Sequence, residues 1–125
     1  MTREEIFEYA AENYSSTPEY LWENDPVSAV LRNKTSSKWY AILMRVPRKT
    51  LGLPGKGEAD VMNIKCGPLV SGSLRMQKGF LTAYHMNKDN WISILIDEAP
   101  KEQIMELIDL SYELTSGKIR KRKEE

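Results

Sequence analysis

Two spacings of apolar residues alternate along this chain, one typical of helices and the other typical of strands. At the start, Thr2 and Glu5 form a capping box, in which each side chain accepts a hydrogen bond from a backbone N–H. Apolar side chains then follow at helical spacing: Phe7, Ala10, Ala11 and Tyr14. This pattern predicts an amphipathic helix over residues 3–14, which ends at the Ser-Ser-Thr-Pro of residues 15–18.

Strand-like runs occupy the next part of the chain. Residues 27–32 and 39–45 are rich in strand-forming side chains, and residues 59–66 alternate between apolar and other positions. The first two runs are separated by the polar segment 33–38, which indicates a hairpin with a basic tip. Residues 46–57 contain two prolines and three glycines, so they are expected to form a long basic loop.

The second half of the chain predicts two helices and one or two strands. A short helix is expected within residues 69–78, and residues 80–84 form a connection or a short strand. The isoleucine-rich run 91–96 is typical of a buried strand. A last helix starts with Pro100 at its first position, and Gly117 stands where a C-terminal cap belongs. The apolar face of this helix is expected to carry Ile104, Leu107, Ile108 and either Tyr112 or Leu114.

These elements follow one another in the order αβββαββα. A mixed order with hairpin-length connections predicts an α+β fold, with an antiparallel sheet flanked by helices in a single two-layer domain. We assign residues 1–117 to that domain and residues 118–125 to a basic, flexible C-terminal tail.

Composition excludes several classes of protein. The chain has 125 residues, 41% of them hydrophobic and 29% charged, which is typical of one globular domain. No apolar run approaches the roughly 20 residues that span a bilayer, and the N-terminus lacks a signal-peptide core. A cytoplasmic protein without a membrane partner is therefore expected. With a single cysteine, Cys66, and a single histidine, neither an internal disulfide nor a zinc site is expected, and no cofactor is predicted.

Charge is unevenly distributed although the net charge is zero. Residues 1–25 contain one basic and seven acidic side chains, whereas residues 26–57 contain seven basic side chains and no acidic one. Residues 118–123 add five more bases. An acid-free basic block of this size favours an anionic partner.

Residues 83–94 concentrate the polar groups with the most varied chemistry, including the only histidine. His85 could act as a general base or a ligand, but no catalytic motif accompanies it, so a structural or binding role with hydrogen-bonded ring nitrogens is favoured. Asn87 and Asn90 are typical of a tight turn, and Lys88 is better placed to reach an anion. The residues of a possible ligand pocket are His85, Asn87 and Trp91.

Five segments occur in an order that resembles a known family. They are Trp22-Glu23-Asn24-Asp25-Pro26-Val27, Lys38-Trp39-Tyr40-Ala41, Ile64-Lys65-Cys66-Gly67-Pro68, Tyr84-His85-Met86-Asn87-Lys88 with Trp91, and Ile108-Asp109-Leu110-Ser111-Tyr112. Together they resemble the MmcQ/YjbR family of small bacterial proteins over nearly the whole chain. The resemblance implies a fold similar to CyaY-like and secretion-chaperone-like domains, and DNA binding through a pair of wings.

The basic block coincides with the predicted hairpin tip and loop, which are the elements that a wing is made of. Wings place Arg and Lys on phosphates and bind largely without sequence preference. The predicted phosphate contacts are Arg45, Arg48, Lys49 and Lys56, with Lys38, Lys65 and Lys88 as second choices. The alternative is a solvated basic surface that balances the acidic first helix, and the zero net charge argues against a strong duplex binder.

Aromatic side chains are expected to lie mostly in the core: Trp22, Trp39, Tyr40, Tyr84, Trp91 and Tyr112. Strand alternation places one of Trp39 and Tyr40 outward, beside Lys38.

Three functional hypotheses follow from the sequence. The leading one is a non-enzymatic DNA-binding protein. The second is a protein-interaction module that uses the sheet or a dimer face, which an exposed apolar patch would favour. The third is a small-molecule or enzyme site, which a concave pocket shared by His85, Lys65, Lys88 and Trp91 would favour.

Overall fold

The computed structural model describes residues 1–117, so the predicted basic tail lies outside the described part of the chain. In chain order the elements are α1 (Arg3–Tyr14), β1 (Ala29–Arg32), β2 (Trp39–Pro47), β3 (Glu58–Lys65), α2 (Pro68–Leu74), β4 (Phe80–Thr82), β5 (Trp91–Leu95) and α3 (Lys101–Thr115). The predicted order αβββαββα is confirmed.

The five strands form one antiparallel sheet in the order β1-β2-β3-β5-β4. Alternation along β3 sends Met62 and Ile64 to one face, where they join Ile6 of α1 and Ile108 of α3 in the main core. The opposite face of the sheet carries no helix among the described residues, and we refer to it as the open face. The helices and the sheet therefore form two layers, as predicted.

Helix ends follow the sequence signals closely. The Glu5 N–H donates to Thr2 Oγ1 over 3.1 Å and the Thr2 N–H donates to Glu5 Oε1 over 2.9 Å, so the capping box is confirmed. Pro100 is the N-cap of α3 rather than its first residue, because its backbone is extended (φ −62°, ψ 136°). α2 runs from Pro68 to Leu74. It starts one residue before the predicted span of 69–78 and ends inside that span. Within residues 1–117, no helix is both long and apolar enough to cross a bilayer.

A β-bulge at Tyr40 sets which aromatic side chains face the core. The register shifts there, because Leu31 pairs with Ala41 whereas Arg32 pairs with Trp39. Tyr40 is fully buried among the helices and Trp39 is left half-buried on the open face. The prediction that one of these two rings points outward is therefore confirmed.

α3 is fastened to the sheet at this bulge. Ser111 Oγ donates to the Tyr40 carbonyl over 2.6 Å and accepts from the Lys65 N–H over 2.9 Å. These bonds satisfy two backbone groups at the sheet end, and they hold the C-terminal half of α3 against β2 and β3.

The predicted basic hairpin tip, residues 33–38, is folded against α3 instead of projecting from the domain. Asn33 Nδ2 donates to the Tyr112 carbonyl over 2.8 Å, and Thr35 Oγ1 donates to the Ser116 carbonyl over 3.0 Å. Hydrogen bonds across about 80 residues of sequence therefore determine the position of this tip.

Candidate functional site

The open face of the sheet contains a groove with a volume of about 760 Å³. Its floor is apolar except for one amide, and consists of Ile42, Met44, Val46 and Asn63. One wall is the segment 21–25 before β1 and the other is the segment 84–86 between β4 and β5, with Trp39 also lining the groove.

A tight turn holds the first wall. The Asp25 N–H donates to the Trp22 carbonyl over 3.2 Å, which closes the turn 22–25. Asp25 Oδ1 accepts from the N–H groups of Val27 and Ser28 over 3.1 and 3.0 Å, and the Ser28 hydroxyl donates to Oδ2. These hydrogen bonds, the Ser28 hydroxyl first among them, lower the pKa of Asp25 and keep it ionised. The Trp22 ring, carried by this turn, packs nearly at a right angle to the Trp39 ring, with 5.8 Å between centroids and 78° between planes.

A buried polar pair holds the second wall. Asn63 and Ser93 face each other across β3 and β5, and the Ser93 hydroxyl donates to Asn63 Oδ1. Asn63 Nδ2 donates to the Tyr84 carbonyl over 2.8 Å, and the Tyr84 N–H donates to Ser93 Oγ over 2.9 Å. The two backbone groups of Tyr84 are therefore bound to Asn63, which lies in the floor of the groove, and to its partner Ser93.

His85 is exposed and adopts a left-handed backbone conformation with φ +59°. Its ring stacks on Tyr84 at 3.9 Å between centroids and 18° between planes. Within residues 1–117 its ring nitrogens make no hydrogen bond to protein. The prediction of hydrogen-bonded ring nitrogens is therefore wrong, and the ring is held by stacking instead. The conformation is one that histidine adopts more readily than most residues, and it turns the ring onto Tyr84.

The remainder of the His85 segment is a locked turn. Asn87 Oδ1 accepts from the N–H groups of Asp89 and Asn90, each over 3.0 Å, and the Asn87 carbonyl accepts from the Trp91 N–H over 3.0 Å. Lys88 Nζ donates to the Ala83 carbonyl over 2.8 Å, so it closes the same turn. The interpretation of Asn87 and Asn90 as turn residues is confirmed, and Lys88 takes part in the turn as well.

A second, smaller cavity of about 330 Å³ adjoins the groove. It is lined by Lys65 and Trp91 together with Lys38, and it shares Trp39 and Met86 with the groove. The four residues of the small-molecule hypothesis are therefore not brought together. His85 lines the groove, Lys65 and Trp91 line the second cavity, and Lys88 lies in its turn.

The basic residues of the predicted wings divide between the two ends of β2. Lys38 lies at its start, whereas Arg48, Lys49 and Lys56 lie in the loop beyond its end. Arg45 is paired with Asp60, with 3.0 Å between Nε and Oδ1, and this ion pair raises the pKa of Arg45.

The loop of residues 48–57 is ordered by its own hydrogen bonds. Arg48 Nε donates to the Pro54 carbonyl over 2.7 Å, and the Arg48 N–H donates to the Gly57 carbonyl over 2.9 Å. Leu51 and Leu53 pack in a small cluster with Val46, Ala59, Val61, Leu95 and Tyr84. The loop therefore rests on the open face, the same face that the Tyr84 segment covers, with Lys49 and Lys56 exposed.

Sequence reasoning missed the groove itself. The prediction that the aromatic residues lie mostly in the core holds fully for Tyr40, which is 0% exposed, but Trp22 is 39% exposed. One signal was present: Asn63 interrupts an apolar strand, and a buried amide needs partners.

The burial of Cys66 raises the pKa of its thiol to about 11, and no group of three potential metal ligands is found within residues 1–117.

Together these features define a small α+β domain that carries its helices on one face of an antiparallel sheet and a concave site on the other. A sequence model of the YjbR family matches residues 12–114, and this chain belongs to that family, as the resemblance predicted.

The chain is similar to proteins from several bacteria. It is 43% identical over 116 residues to the uncharacterised protein YyaQ of Bacillus subtilis, covering 92% of this chain and 98% of that protein. A crystal structure of a Pseudomonas syringae protein has 39% identity and a TM-score of 0.89, with 92% of this chain and 99% of that chain covered. A Deinococcus radiodurans protein at 21% identity and a TM-score of 0.72 shares the fold, with 97% and 83% coverage.

Proposed function

We propose that this protein binds duplex DNA without strong sequence preference, through phosphate contacts made by the loop of residues 48–57. The observation that carries the proposal is the placement of Arg48, Lys49 and Lys56 on one ordered loop that contains no acidic residue. Exposed bases on a fixed loop can meet phosphates with little loss of backbone freedom.

The other predicted contacts take secondary places in this proposal. Arg45 already neutralises Asp60, so a phosphate would have to compete with that carboxylate. Lys38 and Lys65 lie near the start of β2, at the end opposite to the loop of residues 48–57. At about 3.3 Å per residue, the length of β2 separates these lysines from the loop by close to 30 Å. Contacts at both ends would span about one turn of duplex.

Salt dependence tests the proposal. Three phosphate contacts give a slope of about −2.7 in a plot of log affinity against log salt, hence a loss of about 40-fold between 50 and 200 mM salt. Binding of a labelled duplex, measured by fluorescence anisotropy at both salt concentrations, provides the slope. Absence of binding at 50 mM salt would refute the proposal.

Paired charge substitutions locate the surface. Lys49→Gln with Lys56→Gln removes two exposed charges from the loop, while Lys78→Gln with Lys101→Gln removes two exposed charges outside the loop and the hairpin tip. We expect the loop pair to reduce the slope by about 2 and the control pair to leave it nearly unchanged. Equal effects of the two pairs would show that net charge, and not this loop, governs binding.

A second candidate function is weak self-association through α2 and the turn that follows it. Leu69 and Met76 are 91% and 87% exposed, an unusual exposure for large apolar side chains. The same pair on two copies would meet across a two-fold axis. Sedimentation velocity over a range of concentrations tests this, with Leu69→Ser and Met76→Ser expected to abolish any dimer.

A further inference from the structure

We propose that the groove on the open face is a binding site for a small organic cation, such as a quaternary or alkylated ammonium group carried on a short apolar body. The groove lies on the same face of the sheet as the loop of residues 48–57, but no residue of that loop lines it and its ligand would carry the opposite charge to DNA, so either proposal can fail without the other.

The aromatic surfaces of the groove suit such a ligand. Trp22 and Trp39 meet nearly at right angles, at 78° and 5.8 Å, so they form two adjoining walls of a corner. A cation that lies against a tryptophan face is attracted by the negative π surface, and tryptophan is the strongest of the aromatic residues in this respect. Met44 and Met86 line the same groove and provide polarisable contacts for alkyl groups.

The charges around the corner favour a cation over an anion. Glu23 and Asp25 both line the groove, in the same turn that carries Trp22. Arg45, which also lines the groove, is paired with Asp60. The oxygens of Asp25 accept hydrogen bonds within the turn, and Arg3 acts on this carboxylate as well. Glu23 is therefore the carboxylate of the groove that makes no ion pair within residues 1–117. An anionic phosphate would meet repulsion here, whereas an ammonium group would gain both carboxylate and π contacts.

The site is also formed before any ligand arrives. Its volume of about 760 Å³ lies within the range of about 300–1,000 Å³ that is usual for small-molecule pockets. The Asp25 hydrogen bonds hold the Trp22 turn, and Asn63 with Ser93 holds Tyr84 on the other side. A ligand would therefore bind without first ordering the walls.

A matched pair of probes tests the charge requirement. Choline and its neutral carbon isostere 3,3-dimethyl-1-butanol have the same size and shape, and differ in one positive charge. We would titrate each into the 125-residue protein and follow the indole N–H signals of Trp22 and Trp39 by NMR, with Trp91 of the second cavity as an internal reference.

We expect choline to shift the Trp22 and Trp39 signals saturably, and to bind about 3- to 30-fold more tightly than the neutral isostere. Equal binding of the two probes, or a choline response as large at Trp91 as at Trp22, would overturn the proposal. A failure of choline to saturate the shifts at any soluble concentration would overturn it as well.

Two substitutions identify the residues involved. Glu23→Gln removes an exposed carboxylate of the groove, while Glu106→Gln makes the same change on α3, away from the open face. We expect choline affinity to fall about 2- to 5-fold in the first variant and to stay unchanged in the second. Trp22→Leu keeps an apolar side chain but removes the π face, and is expected to weaken choline binding about 3- to 30-fold. If Glu106→Gln weakened binding as much as Glu23→Gln, the groove would not be the site.

Discussion

Asn63 holds the Tyr84 carbonyl at 2.8 Å across the open face, although the two residues are 21 positions apart in the sequence. Asn63 is 1% exposed, and its amide oxygen accepts a hydrogen bond from the Ser93 hydroxyl. A buried polar pair inside an otherwise apolar sheet thus sets the position of one wall of the groove, and with it the stacked ring of His85.

Replacing Asn63 should therefore cost both stability and the geometry of this wall. Asn63→Ala leaves the Tyr84 carbonyl without its donor and the Ser93 hydroxyl without its acceptor, so we expect a loss of about 2–3 kcal/mol in the free energy of unfolding. Urea unfolding measures the loss. The double variant with Ser93→Ala should lose less than the sum of the single variants, because both act on one network. Additive losses would contradict this coupling.

The two glycines Gly79 and Gly72 provide a matched test of backbone conformation. Gly79 has φ +94°, and an added Cβ would lie 3.0 Å from the Ala99 nitrogen, whereas a Cβ at Gly72 in α2 meets nothing within 4 Å. We expect Gly79→Ala to destabilise the protein by more than about 1–2 kcal/mol, which is the cost of the left-handed conformation alone. Gly72→Ala should stabilise it by about 0.5–1 kcal/mol. Thermal and urea unfolding of both variants check the opposite signs.

Ser111 provides a third test, at the junction of α3 with the sheet. Ser111→Ala removes the donor to the Tyr40 carbonyl and the acceptor of the Lys65 N–H, so two backbone groups lose their partner. We expect a loss of about 2–4 kcal/mol. Ser73→Ala, at an exposed position of α2, is the control and should change stability by less than about 0.5 kcal/mol. Similar losses in the two variants would argue against the bulge as the point of attachment.

Stability should also fall at alkaline pH, because of a tyrosine cluster between α1 and α3. Tyr9 and Tyr14 both donate to Asp109, and Tyr14 stacks on Tyr112 at 3.9 Å. Burial first, and then the hydrogen bond to Asp109, raises the pKa of Tyr9 to about 12 and raises the pKa of Tyr14 too.

The sign of the effect follows from these shifts. The folded state keeps the two phenols protonated, while the unfolded chain ionises them near pH 10. The contribution of these tyrosines to the free energy of unfolding is therefore complete below about pH 10 and is lost as the pH rises towards 12. Urea midpoints measured between pH 8 and pH 11 should fall with pH. The fall should be smaller in the variant Tyr9→Phe, which has one titrating group fewer, and an unchanged pH dependence would contradict the assignment.

Local patterns were sufficient to predict the elements and their order. The capping box of Thr2 and Glu5, the alternation around Met62, and the turn chemistry of Asn87 each act within a few residues, and each was confirmed. Family membership was predicted from short segments in the right order for the same reason, since each segment is contiguous.

The groove and the positions of its walls depended on contacts between distant segments. A one-residue bulge moved Tyr40 inward and left Trp39 outward, and strand periodicity does not reveal where such a bulge will occur. The Trp22 ring packs at nearly a right angle to Trp39, which belongs to a different segment of the chain, and a hydrogen bond from Asn33 holds the basic tip at 33–38 against α3. The amino-acid sequence thus specified which segments become helices and strands, because those preferences are local. The fold specified which side chains share a surface, because that depends on register, on burial and on hydrogen bonds between residues far apart in the chain.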